Sequence, residues 1–321
     1  MIKIFGIHFN RPDFVTLQSK TLKFFMKDDY EYIVVNNAID EKTKKEISRA
    51  AEFSSSRCIE IQENINSQAA SAYPGYHHSI AMNHVVSQEF KDHDDICVIL
   101  DGDAFLIKNY SFSESMKNCQ FFGAFLQQKG RYWLNPVVLG MKPKEIPDLN
   151  AVNLIGSHVY NENPEDKSKD ISYYPKKINN MYVFDCPVCS GAVKNVEDYH
   201  IRLDTGGDLY MYLKSHPSVK VKRATTTSQI TEEAINNFPE LKKHGYTSEY
   251  HFEIYDGSFL HYCRSSNWDR KNYDFHQRKT KVLNDFLDAI ISGETTLTSN
   301  YVLKDNEWSS WPEEAIKNHT L

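Results

Sequence analysis

The sequence predicts an α/β fold whose central sheet is mostly parallel and flanked by helices. Three observations predict it. Strand-like and helix-like segments alternate through the first hundred residues. The strand-like segments are apolar throughout, as in strands covered on both faces. The composition, 40% hydrophobic and 25% charged over 321 residues, is that of a globular chain able to bury a core without disulfides.

The elements follow in order. Ile2 to Phe9 is apolar and reads as a first strand, not as a signal peptide: it has no charged leader and no small-residue cleavage site. Arg11-Pro12-Asp13 opens a helix with proline in its first turn, and Phe14, Leu17, Thr21 and Phe25 recur at near-helical spacing. Tyr32 to Val35 is a short buried strand that runs into Asn36-Asn37. Glu41 to Phe53 is a polar helix, Cys58 to Ile61 a third strand and Ser79 to Phe90 a helix. Ile96 to Leu100 is a fourth strand with acids on both sides. Later, Phe121 to Leu126 and Tyr132 to Leu139 are strand-like, and Pro136 in the second implies an edge or a bulge. Residues 161 to 180 read as a long polar surface loop. Asp208 to Ser215 reads as a helix, Val219 to Val221 as a strand. Val282, Leu283, Phe286, Leu287, Ile290 and Ile291 form an amphipathic helical stripe.

Composition excludes some functions. Lys and Arg total 37 against 43 Asp and Glu, a net charge of −6, so there is no basic field for nucleic acid. Mean hydropathy is −0.56, and no apolar run approaches the ~20 residues of a membrane helix. Peripheral membrane contact stays open. Six cysteines include one Cys186-Pro187-Val188-Cys189 pair. No second pair completes a zinc set, so ordinary thiols in a reducing, cytoplasmic setting are expected.

The sharpest local signal is Asp101-Gly102-Asp103 at the end of the fourth apolar strand. In an extended chain residues i and i+2 point the same way. Two carboxylates can then converge on one divalent cation, Mg²⁺ or Mn²⁺ suiting oxygen donors. The C-terminal ends of parallel strands are also where α/β sheets bind ligands.

With this motif the chain resembles the nucleotide-sugar-dependent glycosyltransferases of the GT-A fold, in which an Asp-x-Asp (DxD motif) after a buried strand holds the donor's metal. The resemblance spans roughly residues 1 to 270. It implies a catalytic domain with a nucleotide-binding half (1 to 110) and a mixed acceptor-binding half (111 to 270), then a helical extension (271 to 321). It places Asn10-Arg11 and Asn36 near the nucleoside, and His78 and Asn83 beside the nucleotide. Asp101 and Asp103 would hold Mn²⁺ or Mg²⁺.

Two later segments bear on mechanism. In inverting enzymes of this family an acid opens the acceptor-facing helix and acts as general base. Asp208 stands there, with Asp204 as competitor, because the family's usual Glu-Asp pair is Gly207-Asp208 here. The family's late metal-binding His corresponds to His261, and Arg264 would pair with the diphosphate. Gly130 to Pro136 and Ser190-Gly191-Ala192 are candidate sugar-side segments. The resemblance thus implies sugar transfer from a nucleotide sugar, most commonly a UDP-sugar, to the hydroxyl of a glycan or lipid-linked acceptor. The alternatives are a nucleotidyltransferase or other phosphoryl-transfer enzyme at the same metal site, and a non-catalytic sugar- or nucleotide-binding module. A glycine-rich phosphate loop, which phosphoryl transfer would favour, does not follow Gly6. Oligomeric state and the role of Trp308 and Trp311 stay open.

Overall fold

The computed structural model describes residues 1–61, 75–91, 93–128, 130–161, 166–173, 176–178, 181–183, 200–227, 239–263, 265, 273–295 and 297. The opening strands and helices alternate as β1 (Ile2–His8), α1 (Pro12–Phe25), β2 (Tyr30–Asn36), α2 (Glu41–Phe53), β3 (Arg57–Glu60), α3 (Tyr76–Gln88) and β4 (Cys97–Asp101). Pro12 sits in the first turn of α1, where its missing N–H costs no hydrogen bond. Asp40 caps α2 by accepting from Thr43 N at 2.9 Å.

β5 (Ala104–Leu106), β6 (Phe121–Gln128), β7 (Arg131–Met141), β8 (Ser157–Tyr160), β9 (Ile171–Tyr173), β10 (Lys176–Ile178), β11 (Met181–Val183) and β12 (His200–Leu203) follow. Next come α4 (Leu209–Ser215), β13 (Val221–Arg223), β14 (Thr226–Thr227), β15 (Glu253–Tyr255), β16 (Phe259–His261) and α5 (Tyr273–Ser292). The central sheet has seven strands in the order β13-β6-β7-β4-β1-β2-β3. β1 pairs parallel to both β2 and β4, β2 to β3, and β13 to β6; only β7 runs antiparallel to its neighbours. The expected mostly parallel, helix-flanked α/β sheet is therefore present.

Alternate residues of each strand feed two cores. Ile4, Val34, Val98 and Leu100 pack with α1, α2 and α5. Phe5, Ile7, Ile33, Val35 and Ile99 pack with α3 and α4. The stripe of α5, from Val282 through Ile290, lies in the first core. Lys20 pairs with Asp288 at 2.7 Å and Arg11 donates to Thr280 at 3.3 Å, so α5 runs parallel alongside α1.

Of the edge or bulge expected at Pro136 the structure has the bulge, and one other expectation changes. β7 is an interior strand, between β4 and β6, and the bulge is what accommodates Pro136: the β6–β7 register shifts between Phe122 and Ala124, leaving residues 136 to 139 without β6 partners. Within 161 to 180, expected to be a surface loop, the described residues 166–173 do more. β9 pairs with β8 in a small sheet, and Asp170 is buried against Arg131, Nε–Oδ2 3.0 Å and Nη2–Oδ1 2.6 Å. Asn161 and Tyr210 donate to the same carboxylate at 2.8 and 2.7 Å. Polarity read as exposure here, whereas it serves a buried ion pair that ties this segment to β7 and α4.

Candidate metal and catalytic site

Asp101 ends β4, and residues 102 and 103 form a tight turn into β5. The two aspartates therefore meet through a turn, and not through the strand alternation expected from the sequence. The turn requires glycine at its centre. A Cβ on Gly102 would press into the carbonyl oxygen of Ile7 and lie 2.9 Å from His8 Nδ1. The turn is braced from α1: Gln18 Nε2 donates to Asp101 O at 2.9 Å and Ala104 O at 2.7 Å. Gln18 Oε1 accepts from Tyr32 OH at 2.7 Å, and His8 Nε2 meets that hydroxyl at 2.8 Å. Burial lowers the His8 pKa to about 4, so its ring is neutral in this brace. Gly6 leaves room for the group, since a Cβ there would lie 2.8 Å from Tyr32 OH.

β5 pairs with β16, placing His261 beside Ala104. His261 Nε2 lies 3.0 Å from Asp103 Oδ1 and 3.9 Å from Asp101 Oδ2. One ligand atom from each of Asp101, Asp103 and His261 lies within 4.8 Å of the others. Asp103 is buried; Tyr262 N donates to its carbonyl at 2.8 Å and Ser265 N to its carboxylate at 3.3 Å. Burial pushes the Asp101 carboxyl up, opposed by the nearby His78 ring and aided by Asp103. Burial opposes charge on His261, yet Cys263 and Asp103 outweigh it and hold its pKa well above the ordinary imidazole value. Two carboxylates and an imidazole are a fitting donor set for Mn²⁺ or Mg²⁺.

Sequence reasoning missed Glu253. The β15–β16 hairpin pairs it with His261, and its Oε2 lies 2.8 Å from His261 Nδ1. Tyr255 OH donates to the same oxygen at 2.8 Å and accepts from Asn135 Nδ2 at 2.9 Å. A carboxylate behind a ligating histidine fixes its ring and tautomer. The readable signal was the Asp256-Gly257 turn, which places residues 253 and 261 opposite each other.

The second cluster is at the start of α4. Asp208 occupies the N-cap position but makes no side-chain capping bond. Its Oδ2 accepts from Asn153 Nδ2 at 2.9 Å and its Oδ1 from Ser172 Oγ at 2.5 Å. Burial raises its pKa to about 6, against the pull of Ser172 and Asn153. Asn83 of α3 donates to Asn153 Oδ1 at 2.6 Å and accepts from Leu154 N at 2.7 Å. Asn83 thus supports the Asp208 cluster, and His78, beside Asp101, lies five residues earlier on the same helix, about 7.5 Å along its axis. Asp204 is exposed and accepts from Thr205 N at 2.8 Å. Gly207 cannot be the glutamate of the resembled pattern: a Cβ there would press into Leu203 and sit 2.7 Å from Asp204 O.

The remaining residues divide. Asn10 and Arg11 line a cavity of about 950 Å³ between the loop after β1, the start of α2 and α5, with Thr43, His276 and Thr280 also on its walls. Arg11 is held there by Asp13, at 2.9 and 2.6 Å, and stacks over Phe14 at 3.6 Å. Asn36 faces α2: it donates to Lys44 O at 2.9 Å and Ser48 Oγ at 3.1 Å, which closes the β2–α2 junction. Tyr132 and Trp133 are buried in the core. Arg264, Cys186, Cys189, Ser190 to Ala192, Trp308 and Trp311 lie outside the described residues.

No known protein family matches the chain, and neither does any curated protein. Similar solved structures are glycosyltransferases. Mannosyltransferase PcManGT from Pyrobaculum calidifontis, solved with GDP-Man and Mn²⁺, is 14% identical with a TM-score of 0.31, over 44% of each chain. Galactosyltransferase LgtC, solved with donor and acceptor sugar analogues, is 13% identical with a TM-score of 0.33, over 47% of this chain and 62% of that one. The bifunctional glycosyltransferase WbbM is 10% identical with a TM-score of 0.31, over 47% of this chain and 33% of that one. The chain covers less than two thirds of the length of each. At that extent of likeness the site's own residues have to carry the functional reading.

Proposed function

We propose that this chain is a metal-dependent glycosyltransferase that moves a sugar from a nucleotide-sugar donor to an acceptor hydroxyl. The observation that carries the reading is the convergence of Asp101, Asp103 and His261 at the C-terminal end of β4, with Glu253 behind the histidine. Asp101, Asp103 and His261 would hold Mn²⁺ or Mg²⁺. Bound there, the ion would neutralise the charge that develops on the departing diphosphate.

The chain's own groups do the rest. Gln18 and Gly102 fix the turn that presents both carboxylates. Glu253 keeps the His261 ring oriented. Asp208 is the general base: near neutral pH it is ionised, yet its raised pKa of about 6 gives it more affinity for an acceptor proton than an ordinary aspartate. Asn153 and Ser172 hold its two oxygens in place. Proton removal opposite the leaving group would make the transfer inverting. Asp208 is preferred to Asp204, whose carboxylate is exposed. Asn10 and Arg11 place the nucleoside in the adjoining cavity, with uridine the first base to try. The acceptor is a glycan or lipid-linked hydroxyl. Among the described residues no helix is long and apolar enough to cross a membrane.

A thermal-shift screen of nucleoside diphosphates with and without Mn²⁺ tests this. Binding to the folded state raises the midpoint by mass action. The expected result is a shift with one base that requires Mn²⁺ and disappears in Asp103→Asn. No shift with any nucleotide in a folded sample would sink the reading.

A further inference from the structure

His261 stands between two different donor sets. Its Nε2 faces Asp103 at 3.0 Å and Asp101 at 3.9 Å. Its Nδ1 faces Glu253 Oε2 at 2.8 Å and Cys263 Sγ at 3.3 Å. Ligand atoms of Glu253, His261 and Cys263 lie within 4.8 Å of one another, as do those of the aspartate set. The first set is oxygen-rich and suits hard cations. The second offers sulfur, imidazole nitrogen and a carboxylate, the donors that zinc takes. Three protein ligands leave a fourth position for solvent. Cys263 and Glu253 are only partly buried, so an ion has a way in.

The backbone supports the same spot. Cys263 has φ +61°, uncommon for a residue with a Cβ. The buried Lys279 of α5 donates to Tyr262 O, and to Cys263 O at 3.3 Å, holding the strained residue beside the imidazole. Strain retained in this way is concentrated at functional segments.

The geometry points to a second metal site, Glu253–His261–Cys263, that takes a thiophilic cation of the zinc class and excludes a cation from the aspartate site. The exclusion follows from the ring, because a neutral imidazole has one lone pair. With the proton on Nδ1, held by Glu253, Nε2 points its lone pair at the aspartates. With the proton on Nε2, held by Asp103, Nδ1 points its lone pair at Cys263 and Glu253. An acceptor carboxylate already stands at each nitrogen, so the change of tautomer needs no rotation of the ring. As the ion binds, the thiol proton and one of the two protons of the His261 imidazolium leave to solvent. The site goes beyond the transferase reading and does not depend on it.

Co²⁺ absorption on the full chain carrying Cys186→Ser and Cys189→Ser tests the proposal. Thiolate-bound Co²⁺ gives a near-ultraviolet charge-transfer band that oxygen and nitrogen ligands do not. The expected result is a band at one equivalent, removed by Zn²⁺ and lost on adding Cys263→Ser. Mg²⁺ does not favour thiolate, so its excess should raise the Co²⁺ needed for half the band about tenfold by mass action. Asp103→Asn should abolish that Mg²⁺ effect and keep the band. No band, or a band unchanged by Cys263→Ser, overturns the site; a band indifferent to Mg²⁺ overturns the exclusion. None of these readouts uses a nucleotide or turnover, so a failed transferase reading registers separately.

Discussion

Asp208 carries two opposing demands in one side chain. Its carboxyl titrates at about 6 in the fold, against an ordinary value of 3.8. Above pH 6 the fold holds a buried charge that the unfolded chain would leave in water. The difference is worth up to about 3 kcal/mol at neutral pH and vanishes below pH ~4, where both states are protonated. Asp208→Asn is therefore expected to raise the unfolding free energy at pH 7.5, with the gain gone at pH 4, as urea denaturation at both values would read. The same variant should lose about 10²- to 10⁴-fold in turnover. It should also lose the acid limb by which wild-type rate falls through pH 6. An Asp208→Asn variant no more stable at pH 7.5 than at pH 4, relative to wild type, would contradict the buried-charge account.

At the scale of elements, α1 braces the Asp101–Asp103 turn between β4 and β5. Gln18 supplies the partners for two backbone carbonyls of that turn and for Tyr32 OH. Gln18→Leu keeps the volume and removes all three bonds. Unsatisfied buried acceptors cost about 1–3 kcal/mol each, so a loss of about 2–4 kcal/mol is expected in urea denaturation at constant m. Mn²⁺ affinity, measured by calorimetry, should fall with it. A loss below about 1 kcal/mol would show that water replaces the amide.

Across the whole molecule, the buried Arg131–Asp170 pair joins β7, the 166–173 segment and α4, and so sets where Ser172 meets Asp208. Burial works to raise the Asp170 pKa, but the bonds from Arg131, Asn161 and Tyr210 outweigh it and hold it below the ordinary value. Its contribution is present above pH ~4 and is lost as pH falls through the depressed folded value. Asp170→Ala leaves Arg131 without its carboxylate in the interior, at a cost of about 3–5 kcal/mol. The expected outcome is a lower denaturation midpoint at pH 7, with the gap to wild type closing only in strong acid. Equal stability of the two chains at pH 7 would refute this role.

Strand and helix identities near the start were readable because periodicity and caps are local. Pro12, Asp40 and the apolar run before Asp101 act within a few residues of themselves. The Asp101-Gly102-Asp103 motif and a late His261 were readable as residue types at suggestive positions. Their meeting was expected only through the family resemblance, because residues 160 apart are joined by β5–β16 pairing. Glu253 was signalled only by the Asp256-Gly257 turn that sets it opposite His261, and Cys263 reaches the imidazole only through its positive-φ backbone. The sequence by itself determined the layers of the fold and the chemical types available. The tertiary structure decided which carboxylates share a histidine, that Asn36 serves α2, and that Asp208 is buried, since each depends on desolvation and contact between segments far apart in the chain.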